Sequence, residues 1–362
     1  MWPEKVSAAR TRRYAPGMWK HFPVSIGAFV LLSACRATPT SPERPERGLH
    51  DHHVHLLGPG LIADWKSLGV TFSRPDEVYL QPDSLFEPRG EEPPLASALL
   101  VPMAHFYGNE EFRTELGLTL EQEHAKVRAE NDHVAAQAAR FQGRTRSLVS
   151  VDLLRPYAQE ELERCHAAYP LAGVKIHLAS AGFRYEDSEH VAALARTARW
   201  AHERGLFLLL HLDPQRRGLV TADVTRLLDE VFGPLTSMRV VIAHAGGSGG
   251  FGPWPRSVLE TLAAWLESER AAGRARAQFF VDLSTVPLIL ESEGLPPSTD
   301  EEVAALAPIV RRLGVEHVLF ASDYPVFDPR DQAVFLRERC DFTEEELATI
   351  FSTSLLGSPS VH

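Results

Sequence analysis

The run Asp51-His52-His53-Val54-His55 places two imidazoles two residues apart. On an extended strand side chains alternate, so His53 and His55 share a face with Asp51, while His52 and Val54 take the other. Two imidazoles aimed at one point are what a chelating pair requires; a solvated turn is the plainer alternative. Three later segments share one pattern, an apolar run that ends in a single ionisable residue: Leu206 to Leu210 before His211, Val240 to Ala243 before His244, and Val318 to Ser322 before Asp323. Neutral imidazoles with one carboxylate suit a divalent cation such as zinc, provided one position stays open for water. Such a cation brings the pKa of that water from about 15.7 toward 7. A neighbouring carboxylate or imidazole can then take its proton.

Those side chains need a frame that carries them to one place. From Leu49 onward, short apolar runs alternate with amphipathic stretches. The apolar runs predict eight strands, at Leu49–Leu57, Ala98–Met103, Ser147–Asp152, Gly173–Leu178, Leu206–Leu212, Arg239–Ala245, Gln278–Leu283 and His317–Asp323. Between them, Asp187-Ser188 predicts the start of a helix that stops at Gly205. Ser298-Thr299-Asp300-Glu301 and Thr343-Glu344-Glu345-Glu346 have the look of capping boxes. Pro308 is expected to kink or shorten the helix it falls in. Near-continuous apolar strands alternating with helices mean a parallel sheet. Eight such units in residues 49–362 predict a (β/α)8 TIM barrel, whose C-terminal strand ends form the active-site rim. An open, doubly wound sheet is the competing architecture, weakened because no G-x-G-x-x-G follows the first strand. Residues 58–94 show no clear period and many Pro, Gly and charged residues. They predict either a lid over the mouth or an insertion without structure. The run from Gly246 to Gly252 lacks the Gly-Lys-Ser/Thr of a phosphate loop and predicts a mobile loop over the site.

With Gly173-Val174-Lys175-Ile176-His177, Leu210-His211, Ala243-His244-Ala245-Gly246-Gly247 and Ala321-Ser322-Asp323-Tyr324-Pro325 added to the first motif, residues 49–357 resemble the amidohydrolase superfamily. Within it they are similar to the amidohydrolase-related branch that includes amino-carboxymuconate-semialdehyde decarboxylase. The resemblance implies that His53, His55, His211 and Asp323 bind a divalent metal, most often zinc. It also implies that His244 lies beside the metal-bound water and that Asp323 takes that water's proton. In binuclear members a Lys at the end of the fourth strand is carboxylated and bridges two metals. Lys175 occupies that place, and His177 shares its face. The branch most resembled holds one metal as a rule, which leaves Lys175 and His177 as substrate or supporting residues. One zinc ion is therefore the expectation, and a pair bridged by a carboxylated Lys175 the alternative. The expected activity is hydrolysis of a C–N or C–O bond in a small molecule: a cyclic amide, lactone or ester. Non-oxidative decarboxylation of a small carboxylic acid is the alternative, because the branch contains both chemistries. An inactive barrel that still binds metal is a third reading.

Composition narrows the partners. The chain has 362 residues, a formal net charge of −11, 16 His and 3 Cys. The acidic balance argues against a nucleic-acid binder, which needs a basic stripe. Three cysteines cannot build a disulfide scaffold or a four-cysteine zinc site. The first residues carry a separate signal. Lys20-His21 precede an apolar run, Phe22 to Leu32, too short to span a bilayer as a helix. Leu32-Ser33-Ala34-Cys35 follows and resembles a bacterial lipobox. Residues 1–34 thus predict a signal peptide, Cys35 a lipidation site and residues 35–48 a Pro-rich tether. The enzyme would be exported and held at a membrane by that lipid. A cytoplasmic enzyme with a misread start is the alternative; separately, Met18, just ahead of Lys20-His21, is a plausible true start. His105 is a candidate to line the pocket, and Arg155 and Arg184 to grip an anionic substrate; each has a plain surface role as its alternative. Trp65 and Trp254 read as packing residues or aromatic contacts.

Overall fold

The eight apolar runs become eight parallel strands in the computed structural model, which describes residues 48–88, 94–212, 221–274, 276–286 and 298–356. The strands are β1 (His50–Leu56), β2 (Ser97–Pro102), β3 (Thr145–Ser150), β4 (Gly173–His177), β5 (Phe207–His211), β6 (Arg239–Ile242), β7 (Gln278–Asp282) and β8 (Val318–Leu319). They pair in sequence order. The ring closes where His52 N donates to Phe320 O at 3.1 Å and His55 N to Tyr324 O at 2.7 Å. This is the (β/α)8 barrel read from the sequence. The expectations for residues 1–47, Cys35 among them, lie outside the described residues.

The strands are apolar on both faces for a physical reason. Leu208, Leu210, Val240 and Ile242 pack outward with helix residues such as Leu194 and Leu259. Leu99, Val101, Leu148, Leu209, Val241 and Leu319 cluster on the inner side. With both faces covered, the polar alternation of a one-sided sheet disappears. Register pairs Lys175 with Leu209 and His177 with His211. Lys175 and His177 therefore share the inner face with Leu209 and His211.

Helices begin where their orphan N–H groups find acceptors. Asp187 accepts from Glu189 N and His190 N to open Ser188–Glu203. Thr299 with Glu302 and Thr343 with Glu346 form complete capping boxes. The Asp300–Leu313 helix runs through Pro308 instead of stopping there. Its buried face, Val303, Leu306, Ile309 and Val310, packs against the barrel. That packing outweighs the roughly 3 kcal/mol that an interior proline costs.

Over its described residues, 58–88, the connection after β1 is not an insertion without structure, and Trp65, Phe72 and Tyr79 line the cleft. It folds into Pro59–Ser67, Asp76–Leu80 and the 3-10 turn Asp83–Leu85. Asp64 Oδ2 accepts from Tyr107 Oη at 2.7 Å and from Lys126 Nζ at 2.6 Å. Leu57 N donates to Tyr79 O at 2.8 Å, and Arg140 grips Asp83 with two nitrogens. These ties hold residues 58–88 against the barrel as a wall of the mouth. Helices of one or two turns, broken by Pro and Gly, leave too few residues for a period to show. The glycine-rich run is also packed. Gly246 is buried at φ 87°, where a Cβ would lie 2.7 Å from Val258 Cγ1.

Candidate active site

A bulge in β1 sets the first part of the site. Asp51 pairs with Ala98 on β2, but Val54 pairs with Leu100, so β1 carries one extra residue. His52 turns away from the interior: its Nδ1 lies 2.9 Å from Phe320 O, and its Nε2 accepts from Leu355 N at 3.2 Å. Asp51 accepts from Ser322 N at 3.1 Å and Ser322 Oγ at 2.6 Å. It thereby braces the segment that delivers Asp323.

Hydrogen bonds behind the rings decide which atoms face forward. His53 Nδ1 lies 3.0 Å from Asp282 Oδ2, and His55 Nδ1 lies 3.0 Å from Val101 O. Both partners only accept, so both Nδ1 atoms carry the proton and both Nε2 atoms present lone pairs. Those Nε2 atoms face each other at 3.1 Å. Asp323 Oδ1 stands 3.2 Å from His55 Nε2 and 3.6 Å from His53 Nε2. The same logic reaches His244. Ser284 Oγ gives its proton to Asp282 Oδ1 at 2.5 Å. It therefore accepts from His244 Nδ1 at 2.8 Å, which leaves His244 Nε2 as a further lone pair. His53, His244 and Asp323 hold ligand atoms within 4.8 Å of one another.

The electrostatics match this arrangement. Burial, and then Lys175, push the His53 pKa down to about 3. Burial lowers that of His244. Burial alone would raise Asp323, but the imidazoles of His244, His55 and His53 outweigh it and hold the carboxyl well below the usual range. Asp282 is held low in the same way by His53, His244 and Ser284. Neutral imidazoles and an ionised carboxylate are the protonation states of metal ligands. The carboxylate and carbonyl behind His53 and His55 are the partners that orient ligating histidines. His53 Nε2, His55 Nε2, His244 Nε2 and Asp323 Oδ1 converge as acceptors around a single N–H donor, Lys175 Nζ, so the residues present fit a divalent ion. Lys175 is 1% exposed, with Nζ 3.1 Å from His53 Nε2. Burial pulls its pKa down to about 8.

Two site residues sit in strained backbone. His244 has φ 55° and Asp323 φ 60°, a left-handed region that costs a non-glycine residue about 1–3 kcal/mol. His244 N donating to Asp282 Oδ1 at 2.8 Å holds one, and Val326 N donating to Asp323 O at 2.9 Å holds the other. His211, implied as a ligand by the resemblance, stacks on His177 with ring centres 3.9 Å apart. It meets His244 edge-on at 4.6 Å. His53, His55 and Asp323 thus converge directly, His244 joins them, and His211 stands beside His244.

These groups open into a cleft of about 1120 Å³. His55, Lys175, His211, His244 and Asp323 line it with Trp65, Phe72 and Phe106. Trp65 stacks on Phe72 at 5.9 Å and meets Phe106 edge-on at 5.5 Å. Arg155 reaches the cleft but is held by Glu123 through two bonds of 2.7 Å. Arg184 pairs with Asp187. Trp254 is 42% exposed. Cys165 and Cys340 are buried free thiols. Sequence reasoning missed Asp282. The signal for Asp282 was present, since Phe279-Phe280-Val281 is one more apolar run ending in an ionisable residue.

The chain belongs to the amidohydrolase family, whose profile matches residues 51–353, and it is an enzyme. No curated protein sequence matches it. Among solved structures it is similar to 5-carboxyvanillate decarboxylase from Sphingomonas paucimobilis. The identity is 16%, the TM-score 0.52, and the match covers 84% of this chain and 96% of the other. It is also similar to 2,6-dihydroxybenzoate decarboxylase from Rhizobium, at 15% identity and TM-score 0.52 over 84% and 96%. A third is 5-carboxyvanillate decarboxylase from Novosphingobium aromaticivorans, complexed with manganese and 4-hydroxy-3-methoxy-5-nitrobenzoic acid. That match has 14% identity and TM-score 0.54 over 85% and 95%.

Proposed function

We propose that the chain is a metal-dependent, non-oxidative decarboxylase of a small, flat carboxylic acid. One observation carries this: His53 Nε2, His55 Nε2 and Asp323 Oδ1 converge at the floor of a cleft with an aromatic wall. The three neighbours above, all decarboxylases of aromatic acids by name, lend support. His53, His55 and Asp323 would hold the divalent cation, with His244 and His211 at its flank. When bound, the cation supplies Lewis-acid polarisation of a substrate oxygen. Trp65, Phe72 and Phe106 receive the flat face of the substrate and keep water from it. The reaction breaks the bond between the carboxyl carbon and the ring and puts a solvent proton on the carbon left behind. Asp323 is the group placed to carry that proton.

Hydrolysis is the second reading, favoured by one observation: Asp323 Oδ1 is buried and has no hydrogen-bond partner among the described residues, which leaves it open to take a proton from water. The imidazole-rich donor set suits zinc, and manganese is the second ion to load. One cation is proposed; two per chain would instead mark a carboxylated Lys175 bridge. The N-terminal pattern adds a location: residues 1–34 as a removed signal peptide, Cys35 lipidated, residues 35–48 as tether to a membrane, and residues 49–362 as the barrel.

The test is a panel of hydroxybenzoic acids, lactones and cyclic amides with zinc- or manganese-loaded protein, following carbon dioxide. Release of one carbon dioxide per acid consumed supports the proposal. Ring opening without carbon dioxide overturns it in favour of hydrolysis.

A further inference from the structure

The imidazole of His105, on the 3-10 turn Ala104–Gly108 after β2, has a role that the metal site does not use. The ring lines the cleft and is 1% exposed. Its Nδ1 lies 2.8 Å from Ser150 Oγ. That hydroxyl also accepts from His105 N at 3.3 Å. Ser150 is fully buried, so its own proton needs an acceptor, and His105 Nδ1 is the one beside it. His105 then carries its proton on Nε2. This is the opposite tautomer from His53 and His55, whose Nδ1 atoms face pure acceptors. Burial, followed by Lys175, holds the His105 pKa well below its ordinary value, in keeping with a neutral ring. The Nε2 atom is buried and has no hydrogen-bond partner among the described residues.

A second donor stands nearby in sequence and in the same cleft. Arg113, on the Glu110–Glu115 helix, lines the cleft, and its Nε is also buried without a partner. Asp152 shares that wall, but its Oδ1 is committed to Leu154 N at 2.9 Å. Burial pushes the Asp152 pKa up to about 6, while the charges of Arg155 and Arg113 act to lower it; no hydrogen bond from Asp152 reaches the buried Arg113 Nε. Glu110 and Glu115 at the rim are exposed, where water and salt screen them. Two buried N–H donors without acceptors are costly unless something supplies an oxygen.

We propose that His105 Nε2–H and the Arg113 guanidinium bind a second acidic oxygen function of the substrate, distinct from the oxygen taken by the cation. This rests on the reading above that the substrate is a small acid, and it narrows that class to acids with two oxygen-bearing arms. His105 is then a specificity residue, and the wall selects dianions over monoanions.

Calorimetric binding to zinc-loaded protein tests this without turnover. The probes are benzoate, phthalate, isophthalate and terephthalate. At least one dicarboxylate should bind wild type about tenfold more tightly than benzoate. His105→Phe and Arg113→Gln should each remove that preference while leaving benzoate affinity and zinc content unchanged. His105→Gln, which restores an N–H, should recover part of it. If no dicarboxylate gains over benzoate, or if the gain survives both His105→Phe and Arg113→Gln, the proposal is overturned. Arg113→Gln is the decisive variant should His105→Phe fail to fold. The preference stands or falls whether or not carbon dioxide is released, so its failure is separable from that of the decarboxylase reading.

Discussion

Asp282 Oδ2 lies 3.0 Å from His53 Nδ1, and this contact keeps the ring proton on the side away from the cleft. An asparagine there could offer its NH2 to Nδ1 and reverse the tautomer. Asp282→Asn should therefore weaken metal binding by about 10–100-fold. Competition against a chromogenic chelator measures it; an unchanged affinity would show that the contact does not set the ligand.

Asp323 has a double duty, as ligand and as proton carrier. Asp323→Asn keeps an oxygen for the cation but loses the charge. Turnover should fall by about 10²–10⁴-fold, with metal affinity changing less. Steady-state kinetics on metal-loaded variant and wild type, beside the metal content of each, separate the two effects. Full activity in the variant would remove Asp323 from the chemistry.

Glu130 gives a pH-dependent stability far from the proton chemistry. Its Oε2 accepts from Gly58 N at 2.8 Å, and burial pushes its pKa from 4.5 up to about 8. The folded state therefore binds this proton more tightly than the unfolded chain does. Its contribution is full below about pH 4.5, declines as pH rises toward 8, and is flat above. Gln mimics the protonated form. Glu130→Gln should exceed wild type in stability at pH 9 by roughly 2–4 kcal/mol and lose that advantage at pH 5. Urea unfolding at both values checks it, and an equal difference at the two would count against a raised pKa.

Much of this architecture was legible before the fold was known. Two-faced burial made each strand a continuous apolar run, so all eight could be located within a few residues. The H-x-H pair followed from period-two alternation, and the ionisable strand ends from where each apolar run stops. The rest depended on contacts distant in sequence. Nothing local shows that Asp282 lies behind His53, or that Ser150 sets the tautomer of His105. His244 and Asp323 lie where the chain has left the strand for left-handed backbone, so alternation could not aim them. The short helices after β1 are held by Asp64, Tyr107 and Lys126 rather than by a period of their own.

The N-terminal proposal has a separate test. Cys35→Ser, expressed as the full chain in a bacterial host, should move the protein from the membrane fraction to the soluble fraction. A protein that is soluble with Cys35 intact would contradict the anchor.

Every role proposed for the cleft depends on a divalent cation held by His53, His55 and Asp323. Elemental analysis of purified protein, after loading with zinc or manganese and removal of excess ion, tests it most directly. Wild type should hold about one ion per chain and His55→Ala less than about a tenth of that, because losing one of three convergent ligands leaves too few donors. Wild-type protein that retains less than about a tenth of an ion after loading with either metal would contradict it.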